Sequence, residues 1–289
     1  MLRIAALTVL AMLAFAANSV LARLALTTGG LDAFGYTGVR LVSGAAVLAV
    51  MVWWPKRGRM EGATGMLVAG SWRGAAALFG YAIAFSVAYL LLGAAMGALI
   101  LFAAVQIGML VWAVAKGDRP GALEWMGIAL AFVALVYLVS PGVQAPDLVG
   151  TALMVVAGLC WAAYSLLGRG SRSPIKDTAG NFIRCLPVAV AMVGLGLLAQ
   201  RPSAAGLAYA IAAGGLASGL GYALWYAVLP GLTRARAALV QLTVPALAAL
   251  GGVVFIAEPV TWRLVLATAG ILGGVALALL AAQGRQPTV

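Results

Sequence analysis

The chain has 289 residues, of which 64% are hydrophobic and only 9% charged, with a net charge of +11 and a mean hydropathy of +1.09. A soluble domain carries about a quarter charged residues, so a water-soluble globular fold is excluded. The basic residues lie between apolar runs without interleaved aromatics, which argues against nucleic acid as a partner and for an anionic lipid surface.

Apolar runs of bilayer-spanning length recur along the chain, and without water in the bilayer core each must satisfy its own backbone as a helix. An all-α integral membrane fold of ten transmembrane helices is expected, with spans at 3–23, 34–54, 72–92, 96–115, 122–141, 149–168, 180–199, 204–227, 235–256 and 262–282. The first run, Ile4 to Leu21, has only Arg3 before it and a polar Asn18 near its end. It reads as a retained span rather than a cleaved signal. Turn-forming clusters separate the rest, among them Thr27-Thr28-Gly29-Gly30, Trp54-Pro55-Lys56, Ser140-Pro141-Gly142 and Arg201-Pro202-Ser203. The third-to-fourth and eighth-to-ninth connections are short, which makes those helices antiparallel neighbours.

With the N-terminus in the cytoplasm, the inner segments carry thirteen lysines and arginines and the outer ones only Arg23, Arg201 and Arg263. That bias places both termini inside. The two halves, 1–145 and 146–289, echo each other: Ser19-Val-Leu-Ala-Arg23 returns as Ser165-Leu-Leu-Gly-Arg169, and Arg40 of the second span as Arg184 of the seventh. Five spans per half is an odd number, so the second half enters from the opposite side and the repeat is inverted. Inverted halves that exchange conformations around a midplane site are a transporter architecture.

Three stretches carry a family resemblance: Ala17-Asn18-Ser19-Val20-Leu21-Ala22-Arg23 in the first span, Cys160-Trp161-Ala162-Ala163-Tyr164-Ser165 in the sixth, and the ninth from Ala237-Ala238-Leu239 through Pro245 to Glu258. They resemble the EamA-type ten-span members of the drug/metabolite transporter superfamily, and within it the chain looks most like the YddG-type exporters of aromatic amino acids. The first half departs from the pattern, with Gln106 near the position of the proline and Asp118 in place of the Glu. The resemblance implies a basket of ten helices around a central cavity in a bacterial-type inner (plasma) membrane, working as a monomer. Amino acids or similar metabolites would leave the cytoplasm through it.

Several residues are candidates for the pathway. Asn18, Gln106 and Gln241 are amides inside spans, where an unpaired amide is costly; each suits a zwitterionic cargo or, alternatively, a helix–helix hydrogen bond. Tyr81, Phe85 and Tyr89 recur every four residues and share one helix face, while Trp161 and Tyr164 form a second aromatic pair and Tyr222, Trp225 and Tyr226 a third. These rings either pack the bundle or line a cavity for apolar and aromatic side chains. Arg40 and Arg184 lie a few residues inside their spans, and either snorkel to headgroups or act as vestibule and gating residues. Gly93-x-x-x-Gly97, Gly215-x-x-x-Gly219 and Gly270-x-x-x-Gly274 have the spacing of close helix contacts.

Histidine is absent, Cys160 and Cys185 fall inside spans, and no carboxylate stands mid-span. No metal and no cofactor is therefore expected, nor tight proton coupling, which needs an intramembrane acid or histidine. An integral-membrane enzyme acting on lipid-linked substrates is the alternative class. It would need clustered carboxylates, histidines or a Ser/Lys constellation at one interface, and the sequence has none.

Overall fold

The computed structural model describes residues 2–54, 69–117, 120–140, 145–168, 171–199, 201–232, 240–241 and 243–283. The described elements are helical. In chain order they are α1 (Leu2–Arg23, continuing as a π-helical turn over Leu24–Thr28), α2 (Ala33–Trp53), α3 (Trp72–Leu91), α4 (Ala94–Ala115) and α5 (Ala122–Val139). The second half supplies α6 (Leu148–Leu167), α7 (Pro174–Ala199), α8 (Ala204–Val228), α9 (Thr243–Ile256) and α10 (Trp262–Gln283). Among the described residues eight of these are long and apolar enough to cross a membrane, while α5 and α9 are shorter apolar helices at the expected fifth and ninth spans. Residues 235–239 and 242 of the expected ninth span lie outside the described residues, as does Asp118.

Helix starts follow local chemistry. Asp32, Ser71, Asp147 and Ser203 each stand just before a helix, and the side chain of each accepts from the backbone N–H of a glycine three residues on. Such caps satisfy one of the first-turn donors that the helix itself leaves unpaired. One start differs from expectation: α7 begins at Pro174, six residues before 180. Its first turn is polar, and Asp177 there accepts from the backbone N–H of Gly70 at 2.9 Å, tying it to the segment before α3.

The outward faces are apolar, with Trp125, Phe132 and Val133 on α5 and Leu266 on α10 exposed, as the hydrocarbon of a bilayer requires. The interior holds Tyr36, Phe85, Tyr89, Met154 and Phe182, all fully buried. The most extensive helix contacts include α2 with α7, α5 with α10 and α4 with α9, and then α3 with α6, α4 with α6 and α3 with α7. Further ones are α8 with α1, α9 with α1 and α8 with α2, while α2 with α3 is nearly as extensive as α3 with α7 and α7 with α8 is much smaller. Exchanging each helix for the one five places away maps the nine pairs other than α2 with α3 and α7 with α8 onto themselves.

Small residues permit the closest of these approaches. A Cβ on Gly274 of α10 would lie 2.5 Å from the carbonyl oxygen of Gly127 in α5, and one on Gly127 would lie 2.4 Å from that of Gly274. Such separations tolerate glycine alone.

Candidate functional site

A small cavity of about 30 Å³ lies where α1, α3, α4, α6 and α8 meet, with Asn18, Tyr81, Phe85, Trp161 and Tyr222 in its wall. The aromatic part of that wall starts from helical periodicity. Tyr81 and Phe85 project from one face of α3 with ring centroids 5.3 Å apart, and Tyr89, one turn on, meets Phe85 edge-on at 4.6 Å. Trp161 from α6 bridges the two sides, 4.9 Å from the Tyr81 ring and 5.0 Å from Tyr222 on α8. Phe15, one turn before Asn18 on α1, sits edge-on to Tyr222 at 5.9 Å. Offset and edge-to-face pairs of this kind are favourable for aromatic quadrupoles and also form stacking surfaces. A volume of about 30 Å³ holds water rather than an organic molecule.

Polar groups converge on the Tyr81 hydroxyl. It accepts from Asn18 Nδ2 at 3.2 Å and from Arg40 Nη2 at 3.0 Å. Arg40 also donates from Nε to Ser218 Oγ at 3.2 Å, and its guanidinium carbon lies 4.8 Å from the Phe85 ring centroid and 5.1 Å from that of Tyr81. Arg40 is 2% exposed. It therefore does not snorkel: two hydroxyls and two aromatic faces replace the headgroup region around this cation. Among the described residues no carboxylate pairs with it.

Ser218 owes its reach to the backbone. The middle of α8, Ala213–Leu220, is wound as a π-helix, and Ser218 Oγ donates to the Ala213 carbonyl at 2.9 Å. Gly214 in this stretch lies against α2, where an added Cβ would fall 2.1 Å from the Arg40 carbonyl oxygen. Wide turns of this type recur at functional sites.

A second, larger cavity of about 150 Å³ opens between α3, α6, α7 and α8, lined by Ser71, Tyr164, Asp177, Thr178, Asn181 and Tyr226 among others. Tyr164 pairs through its hydroxyl with Thr178 at 3.4 Å and with Asn181 at 3.5 Å, and its ring lies 5.5 Å from Trp161. Trp161 and Tyr164 thus form the partition between the two cavities.

The structure brings Asn18, Tyr81, Phe85 and Trp161 together in the first cavity and places Tyr164 in the second. Tyr89 is buried behind Phe85, and its backbone carbonyl accepts from Arg23 at 2.7 Å. Gln106 and Gln241 are half-buried and line neither cavity. Arg184 is half-buried on α7, donates to the carbonyls of Ala69 and Gly180, and lies 5.9 Å from the Trp72 ring. It holds the backbone ahead of α3 and lines neither cavity. Ser218 and Phe15 were not singled out by sequence, although Phe15 shares a helix face with Asn18 at a spacing of three.

Residues 148–280 match the EamA-like transporter family. An uncharacterized protein of Pseudomonas aeruginosa is 50% identical over 280 residues, spanning 96% of this chain and 95% of that one. The threonine/homoserine exporter RhtA of Escherichia coli K12 is 33% identical, and that of Salmonella typhimurium LT2 31%, each over 174 residues. Those alignments cover 57% of this chain and 57% of each exporter, so the chain matches little more than half of their length. A crystal structure of a protein 22% identical superposes with a TM-score of 0.63 over 95% of this chain and 98% of its own, a likeness of fold. The transporter-family match spans residues 148–280, and eight helices among the described residues are long and apolar enough to cross a membrane: the chain is an integral membrane protein whose second half is similar to the EamA-like transporter family.

Proposed function

We propose that this protein exports amino acids across the inner (plasma) membrane by alternating access, as a facilitator or uniporter, with both termini in the cytoplasm. The observation that carries this reading is the exchange relation among the main helix contacts around a small central cavity. Two five-helix halves of opposite orientation give that relation naturally, and they can open one central site to either side in turn. The basic residues concentrated on one side support the orientation. In that orientation the larger cavity by Asp177 and Tyr164 faces the cytoplasm, and Trp161 and Tyr164 separate it from the centre.

An amino-acid cargo suits the wall: amide and hydroxyl groups for the polar end, rings for an apolar or aromatic side chain. The partial likeness to threonine/homoserine exporters supports the amino-acid class and adds small hydroxylated side chains to the candidates. Efflux from sealed proteoliposomes, measured over a panel of phenylalanine, tryptophan, methionine, threonine and homoserine with no pH or voltage gradient, tests the reading. Saturable efflux of at least one of them down its own gradient is expected. Strict dependence on a proton gradient would refute the facilitator mechanism, and failure of the whole panel would refute the amino-acid class.

A further inference from the structure

The buried arginine raises a question that helix packing does not answer. A permanent cation inside a span is costly and persists where it has partners. Arg40 has hydroxyls and rings around it, yet its Nη1 is buried with no hydrogen-bond partner among the described residues. Another orphan atom of the same group has the opposite character: Asn18 Oδ1, an acceptor on the cavity wall, is likewise buried without a partner among the described residues, as is the Tyr36 hydroxyl one turn before Arg40 on α2. Both side chains donate to the Tyr81 hydroxyl through their other nitrogens. One hydroxyl thus links a vacant cationic donor to a vacant neutral acceptor, beside a wall of rings.

A guanidinium with a free N–H is the side chain that best recognises a carboxylate. Arg40 lies one side chain behind the cavity wall, over the rings of Tyr81 and Phe85, which both line it. A cavity of about 30 Å³ is too small for an organic molecule, so cargo has to displace rings on entry. Displacing the Tyr81 ring uncovers the arginine behind it.

We infer that Arg40 is the anion subsite of the pathway, its Nη1 taking the carboxylate of the cargo while Asn18 Oδ1 faces the ammonium end. The inference rests on the amino-acid reading above and extends it. Cargo is selected by its carboxylate, and an amine with the same side chain but no carboxylate is rejected. A purely structural Arg40, stapling α2 to α3 and α8, would leave that selectivity untouched.

Titration calorimetry of the purified protein in detergent separates the possibilities with phenylalanine, threonine, 3-phenylpropionate and phenethylamine as probes. Phenylalanine is expected to bind and phenethylamine to bind at least about tenfold more weakly, the scale of one lost charge-assisted contact. R40K should keep the preference with weaker affinity, and R40Q should abolish it. Equal binding of phenethylamine and phenylalanine would overturn the subsite and leave amino-acid transport standing. Binding of 3-phenylpropionate with neither amino acid would do the reverse, keeping the subsite and refuting the amino-acid reading. If no carboxylate probe binds, the subsite falls. If R40Q does not fold, R40K decides, because unchanged phenylalanine affinity in that variant also overturns the inference.

Discussion

The guanidinium of Arg23, at the end of α1, lies 3.4 Å from the carboxylate of Glu258 in the turn between α9 and α10. The same carboxylate accepts from the backbone N–H of Ala94, 2.8 Å from each oxygen, and from that of Ala95 at 3.4 Å. It thereby caps α4, whose own N-cap residue is Gly93 and has no side chain to offer. Arg23 also donates to the Tyr89 carbonyl near the end of α3. Four elements meet at one acid, and Ala257 takes the left-handed conformation, φ 56°, that turns the chain into it.

This latch predicts the behaviour of E258Q. The amide keeps the size of the side chain but loses the ion pair and the charge-assisted capping bonds, a loss of about 1–3 kcal/mol. The thermal unfolding midpoint in detergent should fall. In the proposed orientation the latch lies on the outer side, so a cysteine probe placed there should label faster in E258Q than in the parent. Unfolding and labelling that match the parent would remove the latch from the conformational cycle.

Two adjacent glycines of α10 give a sharper packing test. Gly274 meets the backbone of Gly127 and Ala131 in α5, whereas a Cβ on Gly273 would meet nothing within 4 Å among the described residues. G274A must push α10 off α5 and should cost about 1–3 kcal/mol. G273A adds a methyl to open space and gains helix propensity, so it should be neutral or stabilising by up to about 1 kcal/mol. Equal unfolding midpoints for the two variants would refute the contact.

Tyr81 predicts a split between polar and apolar roles. Y81F keeps the ring and its contacts with Phe85 and Trp161, but it removes the acceptor shared by Asn18 and Arg40. Two buried donors lose a partner, for a cost of about 1–3 kcal/mol each where water cannot enter. Stability should fall, and efflux should weaken beyond what the stability loss explains. Efflux and stability indistinguishable from the parent would show that water replaces the hydroxyl.

Much of this arrangement was legible in apolar length and spacing. The four-residue recurrence of Tyr81, Phe85 and Tyr89 placed three rings on one face, and that face turned inward. Spacing cannot report depth, however, and Arg40 shows why. A cation a few residues inside a span satisfies snorkelling and burial equally, and Ser218 with the rings of Tyr81 and Phe85 decides between them. Gln106 and Gln241 share the chemistry of Asn18 but do not line the cavity, and composition does not say which way a helix faces. The early start of α7 was hidden for a different reason. Lys176 and Asp177 look like loop residues to a hydropathy window, yet a polar turn continues a helix freely once it leaves the apolar layer.

Gly214 ties the unusual winding of α8 to the buried charge. A Cβ there would fall 2.0 Å from Ser43 Oγ and 2.1 Å from the Arg40 carbonyl oxygen, so G214A forces the π-helical stretch away from α2. That shift breaks the approach of Ser218 to Arg40 Nε, now 3.2 Å. S218A removes the same hydrogen bond without moving the backbone. Both variants should weaken efflux, and G214A should also unfold earlier, by about 1–3 kcal/mol, because overpacking adds to the lost bond. The comparison separates geometry from chemistry. If S218A transports normally while G214A does not, the glycine serves helix contact alone and the Ser218 hydroxyl is dispensable to the arginine. If both fail alike while S218A stays as stable as the parent, the hydroxyl positions the guanidinium for transport.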